Sequence, residues 1–597
     1  MDRRIFGVLA GLLIVVSPAL SSAQTLADRV PADAILYVGW RGAADLGPGY
    51  EGSHLQAFLD QSKLPTVLHQ SFPALLQRVE SAYPQASVVI DSVMAIGGPL
   101  FNHPSALYLG PTDVSMPGAP KVRVALLCDA GADAANMATK LNQLISQIPP
   151  GPVQVTVNQF GTLVVVSTYE FAEHPDNPLS ADAEFVAAMK QVSQDPVDVL
   201  YFSGTQLTQQ IDSLVTEAQN PQATQMWPKV REALGMPGLK ALILTDAFDG
   251  KDWLSQVFID APAPRVGLAA MLEGHPLSQD TLKMIPDTAT MAWAGEFDLA
   301  KFVDQIRSIT TQIDPQVGQM LDGYISQVNG ALGFNIQTDL LGAFGDEWAA
   351  YEDPEIAGYG SAGMVIINQC RDAKKLDASL SSLEKLATST ISLFTSQFMP
   401  LLTIQFRTET IDGMEVHFAD LPVVTPSWTI KDGFWYFGMY PQVVVGAAER
   451  GDEKSILDNA AFQDEMTRLA APSHVTGLSF ENVPAMADQG YQSLLTFTSL
   501  FVGAGDLVGM NAPAMVIPPL SKIKPELEPD GAVSWVDDAG WHAKAICAFP
   551  GDQILGMDQG GSQMLVQIIS SLASLGMEER QQERIERPAP PMVSPGL

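Results

Sequence analysis

Basic residues are scarce in this chain of 597: Lys and Arg number 33 against 67 Asp and Glu, a formal charge of −34 at pH 7. So acidic a surface repels phosphodiester backbones and anionic headgroups, so nucleic acid is not an expected partner and anionic lipid is a poor one. Cysteine is scarcer still, with three residues, Cys128, Cys370 and Cys547. Three thiols cannot build a disulfide framework. One bridge, Cys370–Cys547, is open to them, and three isolated small apolar residues is the preferred account. The histidines at 54, 69, 103, 174, 275, 417, 474 and 542 never recur at three-to-four spacing, and no His-Glu-x-x-His occurs. Zinc therefore has no motif here, and no metal or other cofactor is expected. A Gly-x-Ser-x-Gly elbow and a phosphate-binding loop are missing as well.

Apolar runs of membrane-spanning length are also lacking. The longest clean run near the N-terminus, Ile5 to Val16, covers about 18 Å as a helix, short of a hydrocarbon core of roughly 30 Å. It follows Asp2-Arg3-Arg4, is broken by Ser17-Pro18, and ends at Ser21-Ser22-Ala23. These are the parts of a signal peptide, residues 1–23, cleaved after Ala23, so the expected location is periplasmic or extracellular. No cysteine sits beside the cleavage position, which argues against a lipid anchor. Later apolar stretches are interrupted by charge, Pro or Gly, so no transmembrane helix is expected after the signal segment.

What the chain does have is internal similarity. Leu26-Ala-Asp-Arg-Val-Pro31-Ala-Asp-Ala-Ile-Leu-Tyr-Val-Gly-Trp40 returns as Leu282-Lys-Met-Ile-Pro286-Asp-Thr-Ala-Thr-Met-Ala-Trp293. In both, a Pro closes a short amphipathic turn and launches an apolar strand. Further matches follow in order. Val93–Gly97 is paired with Leu340–Gly345, each read as starting a strand pair. The strand Val122–Leu127, Asp133-Ala134 and a helix to Ile148 match Gly363–Asn368, Asp372-Ala373 and a helix to about Phe398. Leu163–Ser167 is paired with Gln442–Gly446, and Phe185 and Met189 with Phe462 and Met466. Two hairpins, Lys240–Ile259 and Ala532–Cys547, close the copies.

The expectation is a signal peptide at 1–23, a first α+β copy at 24–275, and a second at 276–576. A charged, Pro-rich, disordered tail follows at 577–597. The second copy carries a hairpin insertion near 402–421, marked by Asp412-Gly413, and Asp432-Gly433 marks another hairpin. Tight turns between strands imply antiparallel pairing, so the fold class is α+β: two tandem diverged copies of a mainly antiparallel sheet-plus-helix domain.

The opener Pro31-Ala-Asp-Ala-Ile-Leu-Tyr-Val38, the strand ending at a Gly, and the strand–Asp-Ala–long helix step resemble a bacterial exported family of unknown function. The resemblance covers both copies and is structural. It implies no activity, cofactor or binding residues. Phe101-Asn-His-Pro104 departs from it, where a smoother strand is expected.

Several motifs dissolve on inspection. Gly358-Tyr-Gly360-Ser-Ala-Gly363 has dinucleotide-fingerprint spacing, but a strand follows where a helix is required. Asp246, Asp249 and Asp252 about Gly250 have the look of a calcium loop, yet Asp537-Asp538-Ala-Gly540 occupies the same place between strands, so both read as turns. Ser382-Leu-Glu-Lys385 lies within a long amphipathic helix and lacks companion motifs. Asp346-Glu347 is the best carboxylate pair for acid–base work. Its counterparts in the first copy are read as Gly98-Pro99, which makes strand-start polarity the plainer account. Leu494, Leu495, Phe497, Leu500, Phe501 and Val502 form a dense apolar helix where the first copy, Gln209–Glu232, is polar. Packing between copies explains that stretch most simply; a surface for a protein partner or an apolar ligand is the sharper reading. The functional expectation is a non-catalytic binding or envelope-associated scaffold, with a hydrolase using scattered carboxylates as the alternative.

Overall fold

A computed structural model of the chain describes residues 24–62, 87–113, 121–146, 154–193, 195–398, 405–421, 424–451, 453–507 and 517–555. The signal segment 1–23 and the tail 577–597 lie outside the described residues, as does the apolar stretch past Leu507 up to Val516.

The fold is α+β, built on a large antiparallel sheet. Its strands in the first half are β1 (Leu36–Trp40), β2 (Ser105–Leu109), β3 (Val124–Asp129), β4 (Thr156–Phe160), β5 (Leu163–Ser167), β6 (Asp198–Ser203), β7 (Ala241–Asp249) and β8 (Asp252–Asp260). The second half adds β9 (Met291–Glu296), β10 (Phe344–Glu352), β11 (Met364–Cys370), β12 (Phe406–Ile411), β13 (Met414–Ala419), β14 (Ser427–Lys431), β15 (Phe434–Gly438), β16 (Gly477–Glu481), β17 (Asp530–Val536) and β18 (Gly540–Cys547). Pairing runs β4-β5-β3-β2-β1-β6-β7-β8, crosses to β18, and continues β17-β16-β9-β10-β11-β15-β14-β13-β12. The halves meet edge to edge, Asp260 opposite Gly540 and Trp253 opposite Cys547. Each half thus gives its last hairpin to the other, which removes two exposed sheet edges at once.

Local chemistry explains the elements. In β7 the side chains of Ala241, Ile243, Thr245 and Ala247 are buried in alternation, the period of a strand with one covered face. Asp412-Gly413 and Asp432-Gly433 both take positive φ, as two-residue hairpin turns require. The outer strand β12, which carries Arg407 and Glu409, presents exposed polar side chains that discourage further strand addition.

Helices cover both faces. In the first half one face buries Tyr37, Tyr108, Tyr201 and Ile243, with Phe185 wedged edge-on against Tyr37 and Tyr201. The opposite face buries Trp40, Ile96, Leu100, Met137 and Leu141. The second half repeats the first arrangement, with Phe462 edge-on to Phe480. Helix Ala373–Phe398 docks on β13 and β14, where Glu384 accepts from Trp428 Nε1 at 2.7 Å and meets His417 Nδ1 at 3.0 Å. No helix among the described residues is long and apolar enough to cross a membrane.

Two sequence readings need correction. Residues 93–97 lie in helix Ser87–Asn102, and the strand begins only at Ser105. Phe101-Asn-His-Pro104 therefore ends a helix. Gln442–Gly446, paired with Leu163–Ser167, which is strand β5, belongs instead to helix Pro441–Glu449; its apolar run is buried all round, and such a run does not reveal its period. Helix His54–Ser62 follows β1, and residues 63–86 lie outside the described residues. All three cysteines are free, which agrees with the preferred reading of three isolated residues.

Candidate functional site

Among the described residues, one cluster of polar chemistry gathers where β9 ends and β10 begins. Glu296 is the last residue of β9 and sits opposite Glu347 of β10. The connector between the halves brings His275 to the same place. Its Nε2 lies 3.5 Å from Glu296 Oε1 and 3.6 Å from Asp346 Oδ2, and its Nδ1 lies 3.8 Å from Glu347 Oε1.

A bulge in β10 aims these carboxylates. The register with β11 is regular from Trp348 opposite Asn368 onward but shifts before Phe344 meets Cys370. Buried Asn368 repairs the ladder. Its amide accepts from Gly345 N at 2.9 Å and donates to the carbonyls of Gly345 at 3.2 Å and Glu347 at 2.9 Å. A bulge re-aims side chains that a regular strand would send to opposite faces.

Asp346 and Glu347 nevertheless fare differently. Glu347 is buried, accepting from Ser278 N at 2.9 Å, from Ser278 Oγ at 2.6 Å and from Thr281 Oγ1. It ties down the start of helix Gln279–Lys283 and leaves little carboxylate free for acid–base work. Asp346 is 31% exposed. Arg371 spans Asp346 at 2.7 Å and Asp298 at 2.9 Å. The Pro276 carbonyl, then Glu296 and Asp346, push the His275 pKa up, against the opposing pull of burial. Burial pushes that of Glu296 up. Beside Glu296 opens a shallow depression lined by Met271, Glu273, Phe297, Lys301, Phe302 and Gln305.

The sequence singled out Asp346 and Glu347 but missed His275, Glu296 and Arg371. These come from separate segments, and only the pairing of β9 with β10 brings them together. Gly98-Pro99, read as the counterparts of Asp346-Glu347, lie in helix Ser87–Asn102, whereas Asp346-Glu347 lie in strand β10. Tyr37 faces Tyr108 as Ala292 faces Tyr351, and four residues on from each lie Arg41 and Pro104 against Glu296 and Glu347. By that register Asp346 falls at His103.

Of the apolar candidates, Leu494 packs on a cluster of Val483, Ile523, Phe549 and Leu555 that also receives Leu55 and Phe58 from the first half. Leu495 is exposed. The side chains of Phe497, Leu500, Phe501 and Val502 lie outside the described residues. An exposed apolar strip lies elsewhere. On helix Pro315–Leu332, Val317, Met320, Tyr324 and Val328 recur at three-to-four spacing and are all exposed, Met320 at 63% and Tyr324 at 66%. Phe302 and Ile306 of the neighbouring helix Leu299–Ile313 are exposed too.

The other motifs resolve as structure. Gly358 and Gly360 follow a short helix and lead into β11, and Gly360 N donates to Glu352. Asp249 and Asp252 flank the β7–β8 turn at Gly250. Ser382 Oγ donates to the Ala378 carbonyl along its own helix.

No protein-family model matches the chain, and no curated protein and no solved structure shows significant similarity to it.

Proposed function

We propose that this protein is an exported, non-catalytic binding scaffold, made of two diverged copies of one α+β unit, that offers the apolar strip of helix Pro315–Leu332 to a protein partner. The strip carries the reading. Four large side chains at helical spacing normally pack against something, and these face solvent. Contiguous exposed apolar surface marks interaction sites in soluble proteins. Asp298, Asp304, Asp314 and Asp322 lie along the two helices against Lys301 and Arg307, and the whole chain is strongly acidic. The fitting partner therefore has an apolar helix or strand face with a basic rim.

The matching strand orders of the halves, β4-β5-β3-β2-β1-β6-β7-β8 and β14-β15-β11-β10-β9-β16-β17-β18, support descent from one unit. The hairpin β12–β13 is then the insertion. The residues that resemble the exported bacterial family, and the signal-like N-terminus, support placement outside the cytoplasm.

The experiment is cross-linking in the envelope fraction from a photoreactive residue at position 320, followed by Met320→Glu with Tyr324→Glu. A single, basic-rimmed protein that is captured by the native strip and lost in the double variant is the expected result. Capture that persists unchanged in the folded double variant defeats the proposal.

A further inference from the structure

His275 stands with its imidazole between two carboxylates drawn from distant segments, and one ligand atom from each of His275, Glu296 and Asp346 lies within 4.8 Å of the others. We propose that these three residues form a binding site for a first-row divalent cation of the Zn²⁺ type.

The distances favour an ion over direct bonding. At 3.5 and 3.6 Å, both approaches to Nε2 exceed ordinary hydrogen-bond length, about 2.7–3.2 Å. They match the edges of a coordination tetrahedron. With metal–ligand bonds of about 2.0–2.2 Å, those edges measure about 3.3–3.6 Å.

The tautomer agrees independently. A proline carbonyl can only accept, so Nδ1, 3.1 Å from the Pro276 oxygen, carries the hydrogen. Nε2 is then the ring nitrogen that faces Glu296 and Asp346, and a positive charge at that point, a metal ion or a proton, holds the three groups together. Metal-bound histidines are commonly held in this way, by a backbone carbonyl on the other ring nitrogen. The carboxylates are held as well. The backbone N–H of His275 donates to Glu296 Oε2 at 2.5 Å, which turns Oε1 toward the imidazole, and Arg371 fixes Asp346 at 2.7 Å.

Charge points the same way. Glu296, Asp298, Asp346 and Glu347 outnumber Arg371 and Lys301, so the place stays negative with a neutral imidazole. One imidazole and two carboxylates suit Zn²⁺ or Mn²⁺, whereas Ca²⁺ requires more oxygens. His275 is 49% exposed, so water can complete the shell on the solvent side.

The test is isothermal titration of chelator-treated full-length protein with ZnCl₂ and with MnCl₂ at neutral pH. One saturable site per chain is expected, with affinity lowered at least about 10-fold, the scale of a lost ligand or outer-shell partner, in His275→Ala and in Glu296→Gln. His103→Ala, away from the site, should bind as the parent does. Circular dichroism of each variant checks the fold. Ligand-field absorption of the Co²⁺-loaded parent gives a readout that needs no variant, since an imidazole–carboxylate site of four or five ligands absorbs far more strongly than hydrated Co²⁺. Binding that is unsaturable, or that is equal in parent and His275→Ala, overturns the proposal and leaves His275 as a protonated partner of the two acids. A Co²⁺ spectrum identical to that of the free ion does the same.

Discussion

The strand pairs β1–β2 and β9–β10 hold the same place in the two halves and carry opposite chemistry at their ends. Both pairs are centred on a buried tyrosine, Tyr108 in one and Tyr351 in the other. Beyond it, the first half places Arg41 and His103, which meet Asp195 at 2.6 Å and Asp133 at 4.0 Å. The second half places Glu296 and Asp346 there, with His275 brought over from the connector. The interior that positions these groups is shared, whereas the rim is free to change sign. A pattern of buried apolar residues can fix a strand order while leaving the ends of the strands open to new polar groups.

The largest effect expected from breaking this comparison is at the bulge. Asn368 pairs three backbone groups that a regular ladder would have satisfied, whereas Cys128 occupies the matching position of β3 opposite an unbulged β2. Asn368→Leu should cost about 2–4 kcal/mol in denaturant unfolding, because buried backbone groups lose their partners. Cys128→Ala should cost about 1–2 kcal/mol, chiefly a packing loss. Equal losses would mean that the bulge is not held by its amide.

A smaller contrast separates the two tyrosines. The Tyr108 hydroxyl donates to Asp33 Oδ1 at 2.5 Å, and Asp33 is also bound by Arg123. The Tyr351 hydroxyl is buried with no hydrogen-bond partner. Tyr108→Phe should therefore destabilise by about 1–3 kcal/mol, and Tyr351→Phe should be neutral within about 0.5 kcal/mol or stabilising. Thermal melts of the two variants side by side would decide it.

The mildest test uses pH. Asp198 and Asp246 face each other across β6 and β7, and burial followed by the neighbouring carboxylate pushes the Asp198 pKa up. The native chain thus holds a proton that the unfolded chain has released above about pH 4. Native protein binds more protons in this window, so the stabilisation is complete below the unfolded value and is lost as pH rises through the native one. Asp198→Asn should flatten that decline between about pH 5 and pH 8, the window set by the upward shift. An unchanged slope would remove the pair as its source.

Much of the architecture was legible because it follows from short-range rules. Asp-Gly turns, period-two strands such as β7, and the helix from Ala373 to Phe398 all signal through neighbours along the chain. Misreadings fell where burial on every side erased the period, as at Pro441–Glu449. They fell also where a helix ended just before a strand, as at Phe101–Pro104. The candidate site was half visible, since Asp346 and Glu347 stood out as a pair. Their partners could not, because the cluster joins residues 275, 296, 346 and 371 through strand pairing and one bulge.

By itself the sequence determined the charge, the antiparallel α+β class and most hairpins, which depend on composition and on neighbours along the chain. Only the tertiary structure decided that the halves join through β8 and β18 into one sheet. It alone decided that the β10 bulge turns Asp346 toward His275, because pairing register and side-chain direction are set by contacts between residues that the sequence keeps far apart.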